Sequence, residues 1–416
     1  MRMLQRLSLY RPRIWRLIRR YKLVLILLLV LFLIYRGHVV KYKDNTDRQA
    51  ELPGWEREKP LKIGDYLDQK KNTALIVPQD FCKIKTFLVI AVCSSLEHFA
   101  QRKTIRESWG NTRDFNYKEF VKLHGHLEGK YLPIMKDRLR HYADYISVLG
   151  HSLTASVRIV FIVGRSKHKS MREDEKLSRE ANRHNDIIQE DFVDSYHNLT
   201  LKSVMALKHI SQSCGNTSAF FLKCDDDTFV NVPNLLQFLL GGTIPLYKDT
   251  VGYHFRTTYK VMSPWNRLSA TDEVMYGHKF CNMEANFDAS SPWYMPKYIF
   301  QGAKYPKYLS GTGYLLSIDV VKRLYKESLT TSLVHLEDVF VTGICAEEAG
   351  IQRRYHPLFN YVYQKPLCIF KGTISLHPVP ETRMIEAWNF VANYSIKCPT
   401  PDSHFIKSQI AKKSHC

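Results

Sequence analysis

The stretch that most constrains this 416-residue chain is Phe220-Phe-Leu-Lys-Cys-Asp-Asp-Asp-Thr-Phe-Val-Asn231, an apolar run that stops at three consecutive carboxylates and then resumes. A short apolar run of this kind reads as a buried strand. Three adjacent Asp side chains repel one another unless positive charge sits among them. Alternate side chains of an extended segment point the same way, so Asp225 and Asp227 can converge on one ion while Asp226 faces the other side. Hard oxygen ligands favour Mn2+ or Mg2+, which keep positions open for diphosphate oxygens. The stretch therefore reads as a nucleotide-sugar site, with a solvated acidic turn as the competing account.

Residues 1–22 carry eight Lys or Arg and no Asp or Glu, and Leu23 to Tyr35 is an unbroken apolar and aromatic run. This pattern predicts a basic cytosolic tail (1–22) and an uncleaved signal anchor (23–40), a single transmembrane helix with the rest of the chain lumenal. A removed signal peptide is the alternative. The short span suits the thin membranes of the early secretory pathway. Residues 41–80 are polar, carry Pro53, Gly54, Pro60 and Pro78, and read as a stem; 81–400 read as the catalytic domain and 401–416 as a tail. The net charge of +20 owes eight charges to the N-terminal tail, and no nucleic-acid module accompanies the remainder. An anionic diphosphate and anionic membranes account for it equally well.

The nine cysteines contain no Cys-x-x-Cys pair, so a zinc site is not indicated, and in a lumenal compartment several should be bridged. The sequons at Asn198, Asn216 and Asn393 fit the same compartment.

From residue 85 the chain alternates strands (Thr86 to Cys93, Val157 to Gly164, Ile187 to Phe192, the Phe220 run) with helices (Phe99 to Trp109, Arg172 to Asp186, Leu199 to Ser211), and a long polar insertion reaches Ser156. This order predicts an α/β fold with a mostly parallel sheet flanked by helices, whose ligands bind beyond the carboxyl ends of the strands. Neither a Gly-x-Gly-x-x-Gly after a strand nor a Walker-type loop is present, which removes the main support for a dehydrogenase or kinase.

Six blocks in order then carry a resemblance: Arg102-Lys-Thr-Ile-Arg106-Glu-Ser-Trp109-Gly110, Val160-Phe-Ile-Val-Gly164, Glu190-Asp-Phe-Val-Asp194-Ser-Tyr196-His-Asn198-Leu-Thr200-Leu-Lys202, Lys223-Cys-Asp-Asp-Asp227, Tyr308-Leu-Ser310-Gly311-Thr312-Gly313-Tyr314 and Glu337-Asp338-Val339-Phe-Val-Thr-Gly343-Ile-Cys345. Over about residues 86–391 the chain resembles the β-1,3-galactosyltransferase and β-1,3-N-acetylglucosaminyltransferase family. The resemblance implies a GT-A fold, a UDP-sugar donor, Mn2+ dependence, inversion at the anomeric carbon and a Golgi type II membrane protein. Glu337-Asp338-Val339 resembles the galactosyl branch, so the donor expected is UDP-galactose and the acceptor an N-acetylhexosamine or similar sugar on a glycoprotein or glycolipid.

The resemblance makes Asp338 the base that takes the acceptor proton, with Glu337 supporting it or touching the donor sugar; an N-terminal helix acid of structural duty is the other account of Asp338. It makes His377 a metal ligand beside Asp225 and Asp227. Arg102 and Arg106, four apart on one helix face, could meet phosphate or structural carboxylates such as Asp191 or Asp194. Asp191, Lys202, Asp225 and Asp226 complete the expected donor contacts. Gly311 and Gly313 read as a turn where backbone approaches a sugar, with positive φ allowed. A Cys345–Cys368 disulfide is implied by the resemblance. The long segment 113–156, and Leu309 where galactosyltransferases often have Cys, depart from the family pattern. The irregular region between Phe255 and Tyr305 is expected to shape the acceptor cleft. A β-1,3-N-acetylglucosaminyltransferase, a lumenal binding protein or chaperone without turnover, and a tethered polyanion binder are the alternatives; no nucleic-acid partner is expected, and a homodimer is left open.

Overall fold

The computed structural model describes residues 21–22, 24, 26–37, 50–71, 73–111, 114–149, 152–166, 171–253, 267–362 and 365–402. Its strands in chain order are β1 (Ala74–Ile76), β2 (Thr86–Cys93), β3 (Asp114–Asn116), β4 (Ile146–Leu149), β5 (Ser152–Arg165), β6 (Ile187–Val193), β7 (Ser218–Asp225), β8 (Phe229–Val230), β9 (Met275–Phe280), β10 (Tyr308–Ser317), β11 (Arg354–Tyr355), β12 (Phe359–Asn360) and β13 (Ser375–Leu376). The main sheet runs β1-β6-β5-β2-β7-β10-β9-β11, and a small second sheet runs β12-β13-β8.

The parallel part is narrower than expected. Neighbours β6, β5, β2 and β7 are parallel, whereas β1, β10 and β9 join antiparallel. Strand β2 is apolar without alternation and buried at all eight positions, and the second half of β5 is likewise buried, as expected of strands covered on both faces. The helix Leu199–His209 is itself buried along almost its whole length, and the amphipathic helix Met171–His184 leaves most of its charged residues outside, with Glu180 turned inward. This mixed α/β arrangement fits a GT-A fold.

The segment before β5 is not a polar loop. It holds the helices Lys118–His124 and Lys136–His141 and the strands β3 and β4, which pair with the long amino-terminal half of β5, and Phe115, Phe120, Leu123 and Tyr142 join the core. Its apolar residues are spaced among charges, which hid their common face. From Trp55 onward the expected stem is also built in: Trp55, Ile63 and Leu67 are buried and β1 extends the sheet.

Residues 26–37 of the expected anchor are helical, with Leu27, Leu29, Leu31 and Phe32 exposed. Among the described residues no helix is long and apolar enough to cross a membrane. Residues 38–40 of the span and most of the basic tail lie outside the described residues.

By contacts the chain forms two units, residues 1–52 with 286–301, and residues 53–285 with 302–416. Within the first, Leu52 N donates to Tyr298 Oη at 2.8 Å and Tyr294 Oη donates to Ala50 O at 2.9 Å. The second contains both sheets. Of the region 255–305, residues 255–266 lie outside the described residues and β9 crosses the middle.

Disulfides join Cys82 to Cys214 and Cys368 to Cys398. The expected Cys345–Cys368 bridge is thereby corrected: Cys345 is a buried free thiol in the helical stretch behind Asp338, and the partner of Cys368 comes from the segment after the last helix, Glu381–Ala392.

Candidate active site

The acidic triplet lies where β7 and β2 end side by side, with Asp225 in register with Cys93. Strand geometry stops at Asp225, and Asp226 and Asp227 belong to a turn. The turn, rather than strand alternation, directs Asp225 and Asp227 to a common point. His377 joins them, and one ligand atom from each of Asp225, Asp227 and His377 lies within 4.8 Å of the other two.

The small sheet makes this meeting possible, because Leu376 pairs with Phe229 across β13 and β8, and Val379 N donates to Asp227 O at 2.7 Å. His377 precedes a cis peptide to Pro378, and its Nε2 is 3.2 Å from Asp227 Oδ1. Burial disfavours the charged ring, but the bond to Asp227 and the charge of that carboxylate outweigh it and raise the His377 pKa. Two carboxylates and one imidazole form a donor set that suits a hard to borderline divalent cation such as Mn2+.

Asp226 points elsewhere, as expected, and accepts from Ser94 Oγ at 2.7 Å and His98 Nδ1 at 2.8 Å. That bond is the main cause of the raised His98 pKa. Neither Ser94 nor His98 stood out in the sequence, since each owes its relevance to β2 ending beside β7. A small cavity of about 100 Å³ opens next to Asp226 and Asp227, bordered by Gln101, Thr104, Glu381 and Met384.

Lys223 ties this acidic corner to a second one. Its buried Nζ is 2.6 Å from Asp225 Oδ1, donates to Gly311 O at 2.6 Å and lies 3.4 Å from Glu337 Oε2. Burial alone would lower its pKa, but Asp225 and Glu337 hold it well above the usual lysine range. Glu337 is only 3% exposed and accepts from Tyr314 Oη at 2.6 Å through its other oxygen. Glu337, expected to be catalytic or to touch the donor, is thus held by the Tyr314 hydroxyl at Oε1 and faces the Lys223 ammonium at Oε2.

Asp338 is half-buried, and its oxygens accept from Val339 N at 2.8 Å and Gly311 N at 3.2 Å. It caps the π-helical turn Val339–Cys345, so the structural account of this residue is also met. Burial first and the neighbouring Glu337 charge second push its carboxyl up to about 7, against the pull of the two N–H donors. A carboxylate of that pKa can accept a proton near neutral pH.

The Ser310-Gly-Thr-Gly313 segment is not a turn with positive φ. It lies inside β10, where the pairing with β9 shifts register between Leu309 and Tyr314. The glycine at 311 serves close approach: a Cβ there would sit 3.2 Å from Glu337 Oε2 and 3.3 Å from Asp338 Cβ. Gly313 is paired opposite Cys224, next to the triplet.

The two arginines meet carboxylates rather than open solvent, though not Asp191 or Asp194. Arg102 is fully buried, with Nη2 2.7 Å from Glu180 Oε2, and it donates to Ser94 Oγ and to the carbonyls of Ser95 and Leu96. Arg106 bridges Glu180 and Asp186, each at 2.7 Å. Glu180 lies on the charged helix Met171–His184, whose pairing a linear reading could not assign. Asp191 pairs with Arg165 at 2.8 Å. Buried Lys202 donates to Ser94 O at 2.5 Å and to Asp194 Oδ1 at 2.7 Å, clamping the Ser94 turn that holds Asp226. Arg102 and Lys202 therefore converge on the loop after β2 and act on Asp226 through it.

Comparison with known proteins places this geometry. The signature of the family described as galactosyltransferase matches residues 100–357. The chain is 30% identical over 305 residues to beta-1,3-galactosyltransferase 1 of Homo sapiens, covering 73% of each protein. It is also 30% identical over 312 residues to lactosylceramide 1,3-N-acetyl-beta-D-glucosaminyltransferase A of Danio rerio (73% of this chain, 66% of that protein), and 27% identical over 339 residues to beta-1,3-galactosyltransferase 5 of Homo sapiens (80% and 88%). The protein is a glycosyltransferase. It belongs to the galactosyltransferase family, as the resemblance of its motifs implied.

Proposed function

We propose that this protein transfers galactose from UDP-galactose in β-1,3 linkage to an N-acetylhexosamine or similar acceptor on a glycoprotein or glycolipid, with inversion and with Mn2+. The observation that carries the reading is the pairing of two acidic corners through one buried ammonium: Asp225, Asp227 and His377 on one side of Lys223, and Asp338 on the other side of Gly311. Asp225, Asp227 and His377 would hold a divalent cation, which when bound would supply positive charge for the diphosphate. Asp338 receives the proton of the acceptor hydroxyl as that oxygen bonds to C1 of the sugar and the bond from C1 to the diphosphate oxygen breaks, releasing UDP. Lys223 and Glu337 keep the two corners in register, and Asp226, held by Ser94 and His98, lines the nucleotide side.

The Golgi location and the single-pass type II anchor at 23–40 rest on the basic and apolar pattern of the N-terminus, and an N-acetylglucosaminyl donor is the second reading, supported by the lactosylceramide relative. The test incubates the purified protein with labelled UDP-galactose, UDP-N-acetylglucosamine and UDP-N-acetylgalactosamine, with Mn2+ or chelator. Manganese-dependent transfer from UDP-galactose is expected. Preference for another donor overturns the donor assignment, and metal-independent binding without turnover favours a lumenal binding protein.

A further inference from the structure

An aromatic stair leads outward from Asp338. Tyr308 begins β10 beside the helical turn that Asp338 caps: a Cβ placed on Gly343 would lie 3.2 Å from Tyr308 Cβ and 3.9 Å from Asp338 O. Burial and the charge of Asp338 both raise the Tyr308 phenol above its ordinary range. Tyr308 pairs with Phe280 across β10 and β9, their ring centroids 5.2 Å apart. Phe280 meets Tyr361 at 5.0 Å, edge to face, and Tyr361 lies 4.1 Å from the ring of His278. Exposure rises along this path, from buried Tyr308 through half-buried Phe280 to Tyr361, which is 36% exposed beside Val362 at 42%.

The outer end of the stair returns to the metal-type cluster. Tyr361 follows Asn360, whose carbonyl accepts from His377 N at 3.1 Å. The ring cluster is thus tied at one end to the helical turn that Asp338 caps and at the other, through Asn360, to the backbone of His377.

Any hydroxyl that gives its proton to Asp338 must lie within hydrogen-bond reach of it, so the ring carrying that hydroxyl must rest on what borders Asp338. A pyranose has one face of C–H bonds and a polar rim. Flat aromatic faces with few polar atoms suit the first, and ring-face contacts add favourable energy beyond the area they bury. We infer that Tyr361, backed by Phe280 and Tyr308, is the stacking platform of the acceptor subsite and holds the apolar face of a β-linked N-acetylhexosamine. This inference rests on the transferase reading for the identity of the reaction, but not for sugar binding itself.

The test uses methyl β-N-acetylglucosaminide, which has no aromatic aglycone, with the full chain and its Tyr361→Ala and Tyr361→Trp variants. Tyr361→Ala is expected to raise the acceptor KM about tenfold, while hydrolysis of UDP-galactose without acceptor, and UDP affinity in Mn2+, stay as in the wild type; Tyr361→Trp should restore the KM. Saturation-transfer NMR of the glycoside on each protein reads the platform without turnover. Loss of that signal in Tyr361→Ala supports the platform even if the wild type transfers no sugar, an outcome that would sink the transferase reading alone. An unchanged signal and KM in Tyr361→Ala, or an equal fall in donor hydrolysis, overturns the platform.

Discussion

At Asp338 two influences oppose each other: burial and the adjacent Glu337 charge favour the protonated carboxyl, and the N–H groups of Gly311 and Val339 favour the carboxylate. Because the native pKa of about 7 lies above that of an unfolded Asp, the stability this proton contributes is complete below the ordinary carboxyl range and is lost as pH rises through about 7. Catalysis has the opposite sign, since the base works deprotonated. The acid limb of kcat/KM should therefore rise through about pH 7 in a pH–rate profile. Replacing Glu337 by Gln removes a like charge and should move that limb to lower pH; a limb that stays in place would mean that Glu337 does not act on Asp338 through charge. Asp338→Asn should lower kcat by at least about 10² while UDP affinity in Mn2+ stays unchanged, and most of the turnover surviving would remove Asp338 from the role of base.

Among the elements, β10 matters most to the site because a glycine lets its backbone touch the Glu337-Asp338 step. Gly311→Ala puts a methyl group 3.2 Å from Glu337 Oε2 and 3.3 Å from Asp338 Cβ, tighter than ordinary contact. Turnover should fall with little change in the melting temperature, and wild-type kcat would show that the approach is not needed. The last helix is held differently. Cys368 and Cys398 close a loop with a sequence separation of 30 around the helix Glu381–Ala392. Cys398→Ser should lower unfolding free energy by about 3–4 kcal/mol in a denaturant titration. Cys345→Ser leaves the Cys368–Cys398 bridge intact, so a larger loss there than in Cys398→Ser would contradict this assignment of the stabilising bridge.

For the whole molecule, linkage between ligand and fold provides the broadest check. The UDP–Mn2+ complex, held at about a hundred times its dissociation constant as a single ligand, should stabilise the chain by about 2.7 kcal/mol in thermal unfolding. Chelator should abolish the effect, and so should Asp227→Ala. Stabilisation by UDP that persists in both cases would exclude the cluster of Asp225, Asp227 and His377 as the cation site. A polyanion binder would instead respond to salt and ignore the metal.

Much of the parallel core was legible, because strands covered on both faces must be apolar throughout and the helices between them must show a 3.6-residue stripe. The acidic triplet was legible for a related reason, since charge at the end of an apolar strand demands a partner. The segment 113–156 and the stem hid their buried residues, as scattered aromatics declare no common face until neighbouring elements supply one. Sequence alone determined which residues could carry charge, bind a cation or fill the core. Tertiary structure decided which charges meet: Glu180 rather than Asp191 for the arginines, Cys398 rather than Cys345 for Cys368, and Lys223 between Asp225 and Glu337. Apart from Lys223 with Asp225, these pairings join residues far apart in the chain at close range, and electrostatic and covalent contacts depend on distance in space, which a linear order does not contain.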